Sequence, residues 1–72
     1  MDISYDKEAD ALYIRFRKKG AFSKNKKIDR STIADLDENG NVLGIELLDV
    51  SKRFPAKAIS EINVKNLVVT AK

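Results

Sequence analysis

The sequence predicts an α+β fold: a small antiparallel β-sheet of hairpins and meander, a short C-terminal helix, and room after it for a final strand. Three observations carry this. Apolar side chains recur with period two in residues 11–16 and 42–48, as half-buried strands require. The pair Asn39-Gly40 supplies the positive φ angles that tight hairpins demand. Good helix formers in residues 56–62 follow the single Pro55.

Residues 3–5 read as a short edge strand and residues 11–16 as a longer one. In the latter, Leu12, Ile14 and Phe16 share one face, while Tyr13 and Arg15 share the other with Arg17. A helix starting at an Asp6 cap competes, with Ala9, Leu12, Tyr13 and Phe16 at helical spacing and Gly20 as terminator. β-Branched and aromatic content favours the strand by a narrow margin. Around Asn39-Gly40 two registers stay open. A two-residue turn sets Leu36 opposite Leu43 and Ala34 opposite Ile45, apolar against apolar. A type I turn with a glycine bulge sets Asp35 opposite Leu43, and Asp37, Asn39 and Gly40 suit it. Ser51 is placed to cap a short helical piece, a second short helix follows Pro55, and residues 67–70 have the β-branched content of a terminal strand.

Length bounds what such a sheet can bury. A chain of 72 residues makes one domain and hides only about 60% of the surface its unfolded form exposes. With no cysteine, neither a disulfide nor a thiolate metal site can supplement the small core, so oligomerisation is the remaining staple. An apolar content of 43%, with 35% charged residues and a net charge of only +3, argues for a globule and against a disordered polyelectrolyte. The chain opens without a basic region and an apolar stretch, and its longest apolar run, residues 11–14, falls far short of the ~20 residues that span a bilayer. The expected location is the cytoplasm, with no membrane partner.

Asp35-x-Asp37-x-Asn39-Gly40 followed by Glu46 satisfies the calcium-loop pattern. That loop works because two helices hold its oxygens convergent, whereas here strands flank the turn, so a solvated hairpin is the expectation and a metal is not. Histidine is absent too, which removes the commonest general base along with the thiolate nucleophile. The carboxylates Asp6, Glu8, Asp10, Asp35, Asp37, Glu46 and Asp49 read as turn caps and solvated strand positions. Only scattered glycines occur, with no phosphate-binding loop. No enzyme and no cofactor is expected. Arg15, Arg17, Lys18, Lys19, Lys24, Lys26, Lys27 and Arg30 concentrate basic charge against a single carboxylate, Asp29. Such a segment attracts phosphate backbones, and lysine-rich edges equally keep small sheets from pairing edge to edge.

If Leu43, Ile45 and Leu47 face the core, then Val42, Gly44, Glu46 and Leu48 face outward. That apolar second face needs a cover, either the C-terminal segment or a second polypeptide. Gly44 would admit another backbone closely, and Glu46 would pair with Arg15 if their strands are neighbours.

The segment Tyr5-Asp6-x-Glu8-Ala9-Asp10-Ala11-Leu12-Tyr13-Ile14, a turn with Asp37 and Gly40, and then Gly44-Ile45-Glu46-Leu47-Leu48-Asp49 are similar to a known pattern. They resemble the small prokaryotic family called domain of unknown function 2283, with its YD-x-EADALYI and GIEILD motifs. Leu47 stands where that family usually has isoleucine, and the tail from Ile62 departs from it. The resemblance carries no catalytic residues. Such proteins are often encoded beside a small protein resembling a ribonuclease-type toxin, which implies an antitoxin-like or accessory role. Two functions follow as expectations: a protein-binding module, as a homodimer or half of a pair, and a nucleic-acid-binding module using residues 15–30.

Overall fold

The computed structural model describes residues 1–16, 20–61 and 63. Five strands, β1 (Asp2–Asp6), β2 (Ala11–Arg15), β3 (Lys24–Asp29), β4 (Thr32–Leu36) and β5 (Val42–Leu47), precede two short helices, α1 (Val50–Arg53) and α2 (Ala56–Ser60). All neighbouring strands pair antiparallel, in the order β1-β2-β5-β4-β3. β3, β4 and β5 follow one another by hairpins, and β2 lies beside β5 after a long connection, the Greek-key arrangement. The strand reading of residues 11–16 therefore holds over its helical rival. The expected strand at residues 67–70 lies outside the described residues, as do Arg17, Lys18 and Lys19.

β3 is the element that sequence reasoning missed. Its lysines hide the alternation because all of its residues are exposed, and an edge strand needs no apolar face of its own. The turn between β4 and β5 combines the two expected registers. The Asp37 carbonyl accepts from Gly40 N–H at 3.0 Å, and Gly40 takes φ +84, which makes a type I turn closed by a glycine. This sets Leu36 opposite Val42, but a bulge between Asp35 and Leu36 then returns Ala34 to Ile45. Turn chemistry wins near the loop; apolar pairing wins beyond it.

Residues directly opposite share a face of the sheet, so the register reads out both sides. One face carries Ile3, Ile14, Ile45 and Ala34 in a row, and beside it Tyr5, Leu12 and Leu47. The other carries Ser4, Tyr13, Glu46 and Ile33, with Arg15, Gly44 and Asp35 in the next row. The helices lie against the first face at its Leu12–Leu47 end. There Leu12, Leu47, Val50, Phe54, Ala58 and Ile59 line an apolar groove of about 210 Å³. Among the described residues, the buried apolar side chains are Ala11, Ala34, Leu36, Leu43 and Val50. Two of those five are alanine, so the core is thin even for so short a chain.

Candidate functional site

The first motif builds a turn and then holds a helix. Between β1 and β2 the Asp6 carboxylate accepts from the N–H groups of Glu8 (3.0 Å) and Ala9 (3.2 Å), folding the chain back within the motif. Asp10 closes the turn at φ +53, a left-handed conformation that a short polar side chain tolerates. Its carboxylate then reaches across 41 positions of sequence to the start of α1. It accepts from the Ser51 N–H at 3.0 Å and the Ser51 hydroxyl at 2.7 Å, while Tyr5 Oη donates to it at 2.7 Å. The Asp10 carbonyl accepts from Val50 N–H at 3.1 Å. Ser51 is therefore not the cap. Asp49 stands at the N-cap position at φ +52 without a side-chain bond, and Asp10 supplies the missing acceptor. The bonds from Tyr5, then from Ser51, hold the Asp10 carboxyl below its ordinary range, and the same bond raises the Tyr5 phenol. Glu8 stays exposed on the turn.

The second motif meets the first on the polar face. β2 and β5 are neighbours, with Tyr13 opposite Glu46 and Arg15 opposite Gly44, so Glu46 and Arg15 stand diagonal to each other. The Tyr13 ring covers Gly44. A Cβ at Gly44 would lie 2.5 Å from Tyr13 Oη, 2.7 Å from Tyr13 Cζ and 2.7 Å from the Ile14 carbonyl oxygen. The glycine is a seat for this ring, and its cover comes from within the sheet; neither a second chain nor the C-terminal segment is needed over it. Burial first, then the Asp35 carboxylate, push the Tyr13 phenol upward, and Arg15 opposes them.

Asp37 spends its carboxylate inside the β4–β5 turn, accepting from Asn39 N–H (2.9 Å), Asn41 N–H (2.8 Å) and Asn41 Nδ2 (3.0 Å). Asp35 and Glu46, the ends of the calcium-loop pattern, lie on paired extended strands instead of wrapping around one point. Asp29 accepts from Ser31 N–H at 2.8 Å, and this bond, then the Thr32 hydroxyl, lowers its pKa. Arg53 ties α1 to the same turn, donating to the Ser31 carbonyl at 2.9 Å. Sequence reasoning missed Arg53, and no local signal marks it.

Among the described residues, the basic positions do not form one stripe. Lys26 stands opposite Ala34 and Lys27 opposite Ile33, on the two faces of β3, with Lys24 beside Leu36 and Arg30 in the β3–β4 turn. All four are exposed, whereas Arg15 is half-buried on the polar face.

Among the described residues, the apolar face around β1 and β2 is the one left open. Ile3 is 37%, Tyr5 40% and Phe16 40% exposed, and Ile14 and Ile45 in mid-sheet are only half-buried. Of the outward positions expected from sequence, Val42 is 41% exposed, Leu48 is half-buried and Gly44 is buried. Among the described residues no helix is long and apolar enough to cross a membrane.

Comparison with known proteins agrees with the motif geometry. The chain is 51% identical over 53 residues to an uncharacterised protein of Methanocaldococcus jannaschii, MJ0789. The match covers 72% of this chain and spans 43% of that relative's length. No solved structure matches. The family model for Protein of unknown function (DUF2283) matches residues 2–51, from the start of β1 into α1, including both partners of the Asp10–Ser51 clasp. On this match the chain belongs to the DUF2283 family.

Proposed function

We propose that this protein is a cytoplasmic protein-binding module that docks another polypeptide on the apolar face of its sheet. The carrying observation is the half-buried central row, Ile14 and Ile45, flanked by exposed Ile3, Tyr5 and Phe16. Central residues of a five-stranded sheet are normally its most buried, and apolar surface left open in this way marks an interaction site. The motif acids support binding over catalysis. Asp6 and Asp10 satisfy N–H groups of a turn and a helix start, and Asp37 does so in the hairpin. Asp6 is exposed and Asp10 and Asp37 are only half-buried, whereas acid–base chemistry would need a carboxyl shielded in a cleft. The partner is a second copy of the chain or the neutralised half of a toxin pair, as the resemblance to antitoxin-like proteins suggests. Calorimetric titration with the purified product of the adjacent gene, alongside sedimentation of the protein alone, tests this. Saturable binding or self-association is expected; neither, at tens of micromolar, overturns it.

A nucleic-acid reading has one observation in its favour, the free edge from which Lys24, Lys26 and Lys27 project. Their split between two faces weakens it, since a backbone is tracked by charges on one surface. Oligonucleotide affinity that falls steeply with salt, and vanishes when the three become Glu, would support it.

A further inference from the structure

We propose that Asn39 is a self-modification site, its side-chain amide attacked by the Gly40 backbone nitrogen, and that Asp37 restrains the reaction by holding that nitrogen in the β4–β5 turn. Reactivity is the first argument. Of Asn25, Asn39, Asn41, Asn63 and Asn66, only Asn39 precedes a glycine. The others precede Lys26, Val42, Val64 and Leu67, whose side chains crowd the following nitrogen and narrow the backbone's range, as glycine does not. Asn39 and Gly40 are both exposed, and a Cβ built at Gly40 meets nothing within 4 Å, so solvent reaches the pair.

The chemistry needs no reactant besides water. The Gly40 nitrogen bonds to Asn39 Cγ, and its proton passes through solvent to the side-chain nitrogen, which departs as ammonia and leaves a cyclic imide. Water then adds to one of the two imide carbonyl carbons and the ring's C–N bond at that carbon breaks. Opening at Cγ gives aspartate. Opening at the main-chain carbonyl carbon gives isoaspartate, whose backbone runs through the former side chain. No oxidation or reduction occurs; an amide and water become a carboxylate and ammonia.

Restraint is the second argument. Gly40 N–H donates to the Asp37 carbonyl at 3.0 Å, which engages the attacking nitrogen. The Asp37 carboxylate fixes the chain on both sides of it, accepting from Asn39 N–H at 2.9 Å and Asn41 N–H at 2.8 Å. Attack requires the Gly40 nitrogen to be released and turned toward Cγ, so it proceeds from a locally opened turn, and Asp37 sets how often the turn opens. Either product places a new carboxylate beside Asp37 and Glu38. Isoaspartate also lengthens the backbone of a turn whose pairing already requires a bulge between Asp35 and Leu36, so conversion loosens the hairpin.

The full chain, incubated at mildly alkaline pH both folded and in guanidinium chloride, is compared with folded Asp37→Ala, circular dichroism confirming the fold. Mass spectrometry that separates isoaspartate from aspartate follows tryptic peptide 31–52, which contains Asn39 and Asn41. In denaturant Asn39 should convert well ahead of Asn41 and Asn25, with isoaspartate among its products. The folded wild type should convert more slowly than the denatured chain, and Asp37→Ala should raise the folded rate roughly tenfold, the scale of losing one or two hydrogen bonds that close the turn. Should Asp37→Ala fail to fold, Asp37→Ser, which keeps a single acceptor, replaces it with a smaller rise expected. The converted protein, separated by its added negative charge, should melt below the unconverted protein.

Conversion of Asn39 no faster than that of Asn41 in denaturant, or aspartate without isoaspartate, overturns the imide site. A folded wild type that converts at the denatured rate, or a folded Asp37 variant that converts at the wild-type rate, overturns the restraint. Equal melting of converted and unconverted protein overturns the loosening of the hairpin.

Discussion

At the scale of single residues, the acids and aromatics of the family motifs work as fasteners. Asp10 joins β2 to α1 through charge-assisted bonds, and its pKa lies below the ordinary carboxylate value of ~3.9. The unfolded chain therefore binds more protons in acid. Stability from this clasp is fully present above that ordinary value and is lost as pH falls through the depressed folded value. Asp10→Asn should accordingly lower the melting temperature at neutral pH and flatten its decline below about pH 4, relative to wild type. Parallel acid profiles would show that Asp10 bears no such load. Gly44 makes a second residue-scale prediction. Gly44→Ala forces a Cβ within 2.7 Å of the Ile14 carbonyl oxygen and into the Tyr13 hydroxyl, which should cost about 1–3 kcal/mol by denaturant melt. Combining it with Tyr13→Ala should recover part of the additional loss, because one of the two obstacles is gone. Simple additivity of the two changes would refute the seat.

At the scale of elements, the β4–β5 turn separates backbone demand from packing demand. Gly40 sits at φ +84, and a Cβ added there meets nothing within 4 Å. Only backbone conformation resists substitution, so Gly40→Val should cost about 1–3 kcal/mol while Gly40→Asn, which tolerates positive φ, should cost much less. Equal losses would point to a contact instead of a dihedral. The turn also shows what local sequence can carry. The Asp37–Gly40 chemistry was legible because those residue types have intrinsic turn preferences, and the pairing of Ala34 with Ile45 was legible from apolar matching. The bulge reconciling them was not, since it arises from both demands acting at once. β3 escaped because an exposed edge strand has no apolar period, and the Asp10–Ser51 clasp escaped because 41 intervening positions leave no local trace. Gly44 was read as an opening for another backbone; the aromatic that fills it lies on a strand whose pairing register sequence alone left unassigned.

At the scale of the whole molecule, the five-stranded sheet formed by the described residues has two edges, β1 and β3. β3 is exposed along its whole length and has a basic side chain on each face: Lys26 stands opposite Ala34, and Lys27 opposite Ile33. A second chain adding to this edge would have to desolvate lysines whichever way its own strand faced. Lysines so placed would keep the sheet from extending itself, a role that needs no nucleic acid. Replacing both Lys26 and Lys27 by Val should leave β3 paired to β4, because neither side chain lies in the core, yet convert its outer edge into an adhesive strand. The expected result is concentration-dependent light scattering and loss of soluble protein on mild warming. Lys52→Ala with Lys57→Ala removes the same charge from the exposed helices. If that pair aggregates as readily, net charge keeps the protein soluble; if only the β3 pair does, the position of the lysines on the edge is what matters.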